Sequence, residues 1–281
     1  MIEQFWMFHC GYASLPEAAV FADGGKSDTI KLPFIAAVAF HSRLGPILVD
    51  APFGHDGPKN MGALYGVLLQ RITQVFKHEW SIIPRIEQLG LRASEINHIL
   101  MTHLHFDHTG GMKELGHARF HVSEAEWAFA SKLGKMKGLL NGYAVGDWRA
   151  LRARIDTLYT PSFFDHEAEG LDIFGDGSVF AHSLPGHSPG HTGYRFVMTD
   201  GREVFFLGDA VFHVDQVRKG RGLGWFPNTF GADVRRANYT LDELRSFHDA
   251  RPEVTLLCAH DYDLGELCMN GPVQVTPDVF G

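Results

Sequence analysis

Six consecutive residues of the chain carry four side chains that can bind metal ions. They form the segment 103–108, which reads His-Leu-His-Phe-Asp-His and directly follows an apolar run typical of a strand. Residues two apart in an extended chain point the same way, so His103 and His105 can bind one ion together. A turn then brings Asp107 and His108 back beside that pair, where they can hold a second ion. The spacing predicts a metal site at a strand end, because such runs mark metal sites rather than chance clusters of surface histidines.

Two ions need more ligands than this segment supplies, and later segments offer them. Each further candidate is a histidine or an aspartate placed just after an apolar strand, where loops collect at one edge of a sheet. These candidates occur in Pro185–His191, at Gly208-Asp209 and at His260-Asp261. All are imidazoles or carboxylates, a ligand set that suits zinc, manganese, iron or cobalt. We expect two divalent metal ions as cofactors, with zinc as the default.

A pair of metal ions predicts hydrolysis. Two neighbouring ions can share a water molecule and lower its pKa from ~15.7 toward neutrality, which creates a bridging hydroxide at working pH. That hydroxide can attack a carbonyl or phosphoryl centre while one ion polarises the electrophilic oxygen and the other stabilises the leaving oxygen. The sequence therefore predicts a metal-dependent hydrolase that needs neither a serine nor a cysteine nucleophile.

The elements that must position these residues alternate between strands and helices. Apolar and β-branched runs predict strands at Phe34–Phe40, Pro46–Asp50, Ile96–Thr102, Ala118–Val122, Ser178–His182, Tyr194–Met198, Val204–Leu207 and Val254–Cys258. Helical spacing predicts helices at Met61–Lys77, Ile82–Leu91, from Glu124 onward with Ser123 as its cap, and at Tyr239–His248. Residues 132–175 yield only helical pieces around Trp148–Ile155 and a loop with Pro161. This rhythm is typical of layered α/β folds, and we expect one domain over residues 1–281.

Composition excludes several classes of protein. About 45% of the 281 residues are apolar and 21% are charged, as in a globular protein with a core. The net charge is −8, with no basic block, so a nucleic-acid partner is not expected. No segment has the length and apolarity to cross a membrane or the pattern of a signal peptide, which predicts a soluble, cytoplasmic protein. Cys10, Cys258 and Cys268 are expected to be reduced and buried.

In its motifs the sequence resembles the metallo-β-lactamase superfamily. The His-x-His-x-Asp-His run, the later Gly-His, the Gly-Asp and the final His follow the family's order between about Phe34 and His260. The resemblance implies an α/β (α+β) fold, a four-layer αβ/βα sandwich with the metal ions at the edge where the two sheets meet.

The resemblance also implies which residue binds which ion. The ligands of the first ion would be His103, His105 and His187, those of the second Asp107, His108 and His260, and Asp209 would bridge the two. The first histidine of the Pro185–His191 segment is the ligand in the family pattern, so His191 is expected to be structural. An oxidoreductase branch of the family holds two irons but carries Glu where His105 stands, so redox chemistry is not expected.

Within the superfamily, the motifs are closest to those of the N-acyl-homoserine lactone hydrolases. The segments that carry this resemblance are Thr102–His108, Pro185–His191, Ala259–Asp261 and the Gly45–Asp50 strand. The reaction implied is the opening of a lactone ring by water, which silences acyl-lactone signals in quorum quenching. Asp209 would fix the separation of the metals, and Asp107 would orient the nucleophile or carry its proton. These two are the expected catalytic residues.

One position departs from the lactonase pattern. Those enzymes carry Tyr three residues after the bridging aspartate, where its hydroxyl reaches the substrate, and here that residue is Phe212. Losing a hydrogen bond to the developing oxyanion would cost on the order of 2–4 kcal/mol unless Tyr194, His213 or Tyr262 replaces it. The expected substrate contacts are Phe106, Phe212 and Tyr194.

Alternatives stay open on the same metal site. An aryl ester, phosphotriester or thioester could replace the lactone, although a glutathione thioester would favour basic residues near the C-terminus, and none follows Arg251. Asp209 argues against a β-lactamase, whose pattern often has His or Cys there. Net charge −8 argues against a nuclease, and the intact ligand set argues against a non-catalytic binding module. A homodimer is also expected to be possible, with Met61–Phe76 as the contact.

Overall fold

Strands and short helices alternate along the part of the chain that the structure, a computed structural model, describes: residues 1–55, 77–161 and 170–280. The strands are β1 Ile2–Pro16, β2 Thr29–His41, β3 Gly45–Val49, β4 His98–Leu100, β5 Arg119–Ser123, β6 Ile155–Leu158, β7 Leu171–Asp172, β8 Val179–Ser183, β9 Thr192–Val197, β10 Glu203–Phe206, β11 Thr255–Leu257 and β12 Val273–Gln274. The α-helices are α1 Ile82–Gln88, α2 Phe106–Thr109, α3 Glu124–Ala130, α4 Lys135–Leu140, α5 Val145–Trp148, α6 Asp215–Arg218, α7 Trp225–Phe230, α8 Val234–Ala250, α9 Tyr262–Leu267 and α10 Pro277–Phe280.

The described strands form two sheets. The first sheet has the order β12-β1-β2-β3-β4-β5-β6, and the second has the order β11-β10-β9-β8-β7. Strands β3 to β6 run parallel to one another, and β10 runs parallel to β11. The carboxyl ends of parallel strands meet at one edge of a sheet, and this edge is where ligands bind in open α/β sheets.

Apolar side chains fill three layers, one between the sheets and one on the outer face of each sheet. On β3, Ile47 and Val49 point between the sheets, whereas Leu48 points outward. On β10, Phe206 points between the sheets and Phe205 points outward. Such alternation follows from the two-residue period of a strand. Helix α1 packs on the outer face of the first sheet and α8 on that of the second, which confirms the predicted four-layer sandwich.

Most of the predicted elements are present, with shifted ends. Helix α1 ends at Gln88 rather than at Leu91, and Gly90 follows with a positive φ of 75° that helical residues do not adopt. Helix α8 begins at Val234, earlier than predicted, because the side chain of Asp233 caps it by accepting from the Arg236 amide. The predicted cap of α3 is confirmed, since the Ser123 hydroxyl accepts from the Glu126 amide.

Two stretches differ from the sequence prediction. Strand β1 was not predicted, because a bulge between His9 and Tyr12, with Gly11 at φ 115°, interrupts its alternation. The helical pieces predicted around Trp148–Ile155 are the end of α5 and a 3-10 helix at Arg149–Arg154. The predicted Met61–Lys77 helix and its dimer contact lie outside the described residues.

The three cysteines and the membrane prediction are also addressed by the structure. Cys10, Cys258 and Cys268 are buried and unpaired, as predicted. Among the helices that the structure describes, none combines the length and the apolar character required to cross a membrane.

The layer between the sheets should dominate the stability of the fold. Phe196 of β9 is fully buried there and packs edge-on against Phe5 of β1, with 4.9 Å between the ring centroids. We expect Phe196→Ala to lower the free energy of unfolding by about 3–5 kcal/mol, because it leaves a cavity and removes a contact between the sheets. Urea denaturation measures this. Leu140→Ala, at a side chain that is 82% exposed, is the control and should change little. A loss below about 1 kcal/mol for Phe196→Ala would contradict this account of the core.

Candidate metal centre

The first group of candidate ligands consists of three histidines from two loops. His103 and His105 follow β4, and His187 lies in the connection between β8 and β9. His187 Nε2 lies 2.9 Å from His105 Nδ1 and 3.2 Å from His103 Nε2. Burial lowers the pKa of His105 to about 3 and holds the pKa values of His103 and His187 well below the usual range. These imidazoles are therefore neutral, and their converging nitrogens fit a cation. We call these three residues the first cluster.

The second group combines two carboxylates with two histidines: Asp107, His108, Asp209 and His260. The Asp209 carboxylate lies at its centre, with Oδ2 2.9 Å from His260 Nε2 and Oδ1 3.2 Å from His108 Nε2. Asp107 Oδ2 lies 3.6 Å from His260 Nε2. His108 Nε2 and Asp209 Oδ1 are buried without a well-aligned hydrogen-bond partner, as expected of atoms that face a metal ion. We call these four residues the second cluster.

The two clusters differ in their electrostatics. In the second cluster, burial opposes the charge on His108, but the carboxylates of Asp209 and Asp50 outweigh it and raise its pKa well above the usual range. Burial likewise opposes ionisation of Asp209, yet His260 and His108 hold its pKa well below the usual range. Asp209 Oδ2 also lies 3.3 Å from His187 Nε2 of the first cluster. The structure thus brings all seven predicted ligands together, with Asp209 in reach of both clusters.

Hydrogen bonds on the far side of the imidazole rings orient the second cluster. Asp50, buried at the end of β3 with a positive φ of 58°, accepts from His108 Nδ1 at 2.7 Å and from the Thr102 hydroxyl at 2.7 Å. His260 Nδ1 donates to the Pro33 carbonyl at 2.7 Å. These bonds hold a proton on Nδ1 of both rings, so Nε2 is the nitrogen that would bind an ion once its own proton has left. Asp50 was not predicted as a site residue, although it ends a predicted strand just as Asp209 follows one.

His191 lies outside both clusters, where the sequence prediction places it. Its Nε2 accepts from the backbone amide of Asp209 at 2.9 Å, and its ring centroid lies 5.2 Å from that of His103. Accepting that bond uses the Nε2 lone pair, so this nitrogen is not available to an ion. His191 therefore fixes the backbone of Asp209.

The three predicted substrate contacts lie in different environments. The Phe212 ring lies against both clusters, with its centroid 4.7 Å from that of His260 and 5.8 Å from that of His187. Phe106 is half-buried in the loop of the candidate ligands. Tyr194 is fully buried between the sheets, and its hydroxyl donates to the Met101 carbonyl at 2.7 Å. The structure therefore contradicts the expectation that Tyr194 contacts substrate.

The other suggested donors, His213 and Tyr262, pack against each other. His213 is buried with its Nε2 3.3 Å from Asp261 Oδ1. The ring of Tyr262 packs on His213, at 4.5 Å, and on Phe21, at 6.4 Å.

Helix α7 forms an aromatic wall beside the clusters that sequence reasoning missed. The Phe226 ring lies 5.9 Å from that of Phe212, and the Trp225 ring lies 5.8 Å from that of Phe226. Trp225 is 44% exposed, so the three rings lead from the ligands to the surface. The helix is held at its far end, where the Ala232 amide donates to the His187 carbonyl at 3.0 Å. No local signal reveals this wall, because tertiary contacts place it.

A close backbone approach joins the His187 loop to α3. A Cβ atom added to Gly190 would lie 2.0 Å from the Glu126 amide nitrogen and 2.5 Å from the Ser123 hydroxyl. We expect Gly190→Ala to destabilise the fold by about 1–3 kcal/mol, because the loop must move away from α3. Thermal or urea unfolding measures this. Gly134→Ala is the matched control, since a Cβ there meets no atom within 4 Å. Equal stability of the two variants would show that this approach is not tight.

Comparisons with known proteins agree with this geometry. A family model described as the metallo-beta-lactamase superfamily matches residues 48–260. A probable metallo-hydrolase of Mycobacterium tuberculosis is 30% identical over 245 residues, which cover 79% of this chain and 73% of the relative. The N-acyl homoserine lactonase AttM of Agrobacterium fabrum is 24% identical over 196 residues, 67% of each chain.

A solved structure shares the fold. It is an N-acyl homoserine lactone hydrolase with the product N-hexanoyl-L-homoserine bound at the catalytic metal centre. It superposes with a TM-score of 0.71 at 18% identity and covers 95% of this chain and 97% of that one.

Proposed function

The chain belongs to the metallo-beta-lactamase superfamily, and we propose that it is a dinuclear-metal hydrolase that opens a lactone ring of the N-acyl-homoserine lactone type. The observation that carries the proposal is the pair of clusters that share the Asp209 carboxylate. The lactone is supported by the similarity to AttM and by the fold shared with a hydrolase that binds N-hexanoyl-L-homoserine.

The residues of the two clusters have distinct roles in this proposal. Two bound divalent ions, zinc by preference, would supply a water of lowered pKa and a polarised carbonyl oxygen. The Asp209 carboxylate reaches both clusters and so fixes their separation. Asp107, whose side chain is 14% exposed, is the most accessible member of the second cluster. In this proposal Asp107 takes a proton from the attacking water and passes it to the alkoxide oxygen that leaves when the lactone C–O bond breaks.

The aromatic wall indicates the kind of group that the substrate carries. Phe212, Phe226 and Trp225 give a path from the clusters to the surface, and helix α7 reads Trp-Phe-Pro-Asn-Thr-Phe, without a charged residue. Such a surface favours an apolar arm, because each buried methylene contributes up to about 0.8 kcal/mol. An acyl chain attached to the lactone fits this surface, and a charged arm does not.

A second candidate is another ester-class hydrolase on the same site, acting on an aryl ester or a phosphotriester. The observation that favours it is the aromatic ring of Phe212 at the position where lactonases carry a tyrosine hydroxyl. Tyr194 does not compensate, because its hydroxyl donates to the Met101 carbonyl. Hydrolysis of different substrates separates the two candidates.

A substrate panel tests the proposal directly. It contains a long-chain acyl-homoserine lactone, a nitrophenyl ester, paraoxon, a glutathione thioester and nitrocefin, each assayed with and without a chelator. We expect the lactone to have the highest kcat/KM and chelation to abolish its turnover. Asp209→Ala should lower kcat/KM roughly a hundredfold or more, because it removes the carboxylate shared by both clusters. Asp249→Ala, at an exposed position of α8, is the matched control.

The outcomes of the panel differ in meaning. Faster turnover of another compound would keep the metal-dependent hydrolase and discard the lactone. Activity that neither the chelator nor Asp209→Ala reduces would overturn the metal mechanism.

The aromatic wall predicts a dependence on acyl-chain length. Over a series from butanoyl to dodecanoyl substrates, kcat/KM should rise by up to roughly fourfold for each methylene that the wall buries. We expect Trp225→Ala to flatten this rise while short-chain substrates keep their kcat/KM. Tyr159→Ala, at a ring that is 73% exposed beyond β6, is the control. An equal loss at every chain length would contradict a contact between Trp225 and the acyl arm.

A further inference from the structure

A buried carboxylate lies beside the first cluster without belonging to it. Glu126 is fully buried in the first turn of α3. The segment from Ser123 to Glu126 has the Ser-x-x-Glu pattern of a capping box, in which the glutamate normally reaches back to the amide of the capping residue. Here the Ser123 hydroxyl does accept from the Glu126 amide at 3.2 Å, but the Glu126 side chain bonds to other segments. Capping therefore does not explain this carboxylate.

The Glu126 carboxylate accepts four hydrogen bonds, three of them from the two loops that carry the first cluster. Oε1 accepts from the Leu104 amide at 3.0 Å and from the Tyr143 hydroxyl at 2.9 Å. Oε2 accepts from the Ser188 hydroxyl at 2.7 Å and from the Gly190 amide at 3.1 Å. One side chain thus ties together two loops that are far apart in sequence.

Each of these bonds acts next to a candidate ligand. Leu104 lies between His103 and His105, and Ser188 follows His187. The ring of Tyr143 lies 4.7 Å from that of His105, edge to face. The bonds of Glu126 therefore act on all three members of the first cluster. Asp50 bonds directly to His108 of the second cluster and reaches the first cluster only through the Thr102 hydroxyl, which lies 3.0 Å from His103 Nδ1.

The charges of the candidate ligands also favour a role for Glu126 at the first cluster. Histidine binds a metal ion as a neutral imidazole, so among the ligands only Asp209 would offer the first cluster a charge, and Asp209 is shared with the second cluster. A buried carboxylate is costly unless its charge is compensated. A cation held by the first cluster would provide that compensation for Glu126.

We propose that Glu126 is a positioning residue for a metal ion in the first cluster and not for one in the second. It sets the geometry of the loops that carry His103, His105 and His187 and adds a negative charge near them. This inference rests on the proposed dinuclear function. Glu126→Gln removes the charge and turns an amide group, a donor, toward one pair of its present donors. We expect this to weaken ion binding at the first cluster by roughly 10–100-fold.

Variants that keep a single cluster make the test specific. His260→Ala leaves the first cluster complete, and His187→Ala leaves the second cluster complete. Titration of each chain with Co²⁺, followed by visible absorption, gives the affinity of one cluster independently of activity. Glu126→Gln should weaken Co²⁺ binding in the His260→Ala chain and leave it within roughly twofold in the His187→Ala chain.

Two further variants serve as controls. Glu124→Gln makes the same substitution at an exposed position in the same turn of α3 and should change neither affinity. Asp50→Asn should weaken binding more in the His187→Ala chain than in the His260→Ala chain, because Asp50 bonds directly to His108 and reaches His103 only through Thr102. Should Glu126→Gln fail to fold, Ser188→Ala removes only one of the four bonds and should weaken the first cluster alone.

The outcomes separate this inference from the proposed function. Equal weakening at both clusters, or no weakening at the first, would overturn the role of Glu126. Failure of both single-cluster chains to bind Co²⁺ would overturn the dinuclear site and this inference with it. Absence of lactone turnover, with the cobalt pattern intact, would overturn only the substrate class.

Discussion

The buried carboxylate of Asp209 is the interaction on which the arrangement of the site depends. It lies within 3.3 Å of ring nitrogens from both clusters, so its position sets the distance between them. Neighbouring residues of the fold hold the Asp209 backbone in position. Strand β10 ends at Phe206, two residues before Gly208. The φ of 55° at Gly208 turns the chain, and a Cβ there would lie 2.7 Å from His191 Nε2. The same nitrogen accepts from the Asp209 amide. A histidine, a glycine and a strand end therefore act together to present one carboxylate.

The two clusters that share Asp209 differ in the charge of their side chains. The first consists of imidazoles that burial keeps neutral, so it offers lone pairs without ligand charge of its own. The second combines histidines with carboxylates that raise their pKa values, so it carries charge of both signs. A buried carboxylate supports each cluster. Glu126 bonds to the loops of the first cluster, and Asp50 bonds directly to His108 of the second. The parallel strands bring these supports to one edge, which is why a layered sheet fold suits a site of this kind.

Local sequence patterns identify some residues of this site, whereas residues that tertiary contacts bring into it leave no such pattern. The run from His103 to His108 is local, and the later ligands each follow an apolar strand, so spacing and strand ends identify them. Asp50 carries the same strand-end signal. Glu126 could not be assigned, because its pattern predicts a cap and only the folded loops redirect its side chain. Tyr194 was wrongly predicted to contact substrate. Its side chain lies with that of Phe196 on the face of β9 that points between the sheets. Strand β1 was missed at its bulge, and the wall on α7 depends entirely on tertiary contacts.

Under the proposed function, Phe212 at the position where the lactonase pattern has a tyrosine determines how the site discriminates between substrates. A hydroxyl that bonds the substrate rejects analogues that cannot return the bond, because a buried polar group is then left unpaired. The Phe212 ring, packed on His187 and His260, has no hydrogen-bonding group and therefore does not reject analogues in this way. Under the proposed function, selectivity then comes from apolar contacts along Phe226 and Trp225, and one methylene more or less along these rings changes kcat/KM by only up to about fourfold. Under that proposal the metal centre selects the electrophile and the aromatic wall selects the arm, so one site would accept lactones and other esters that share an apolar arm.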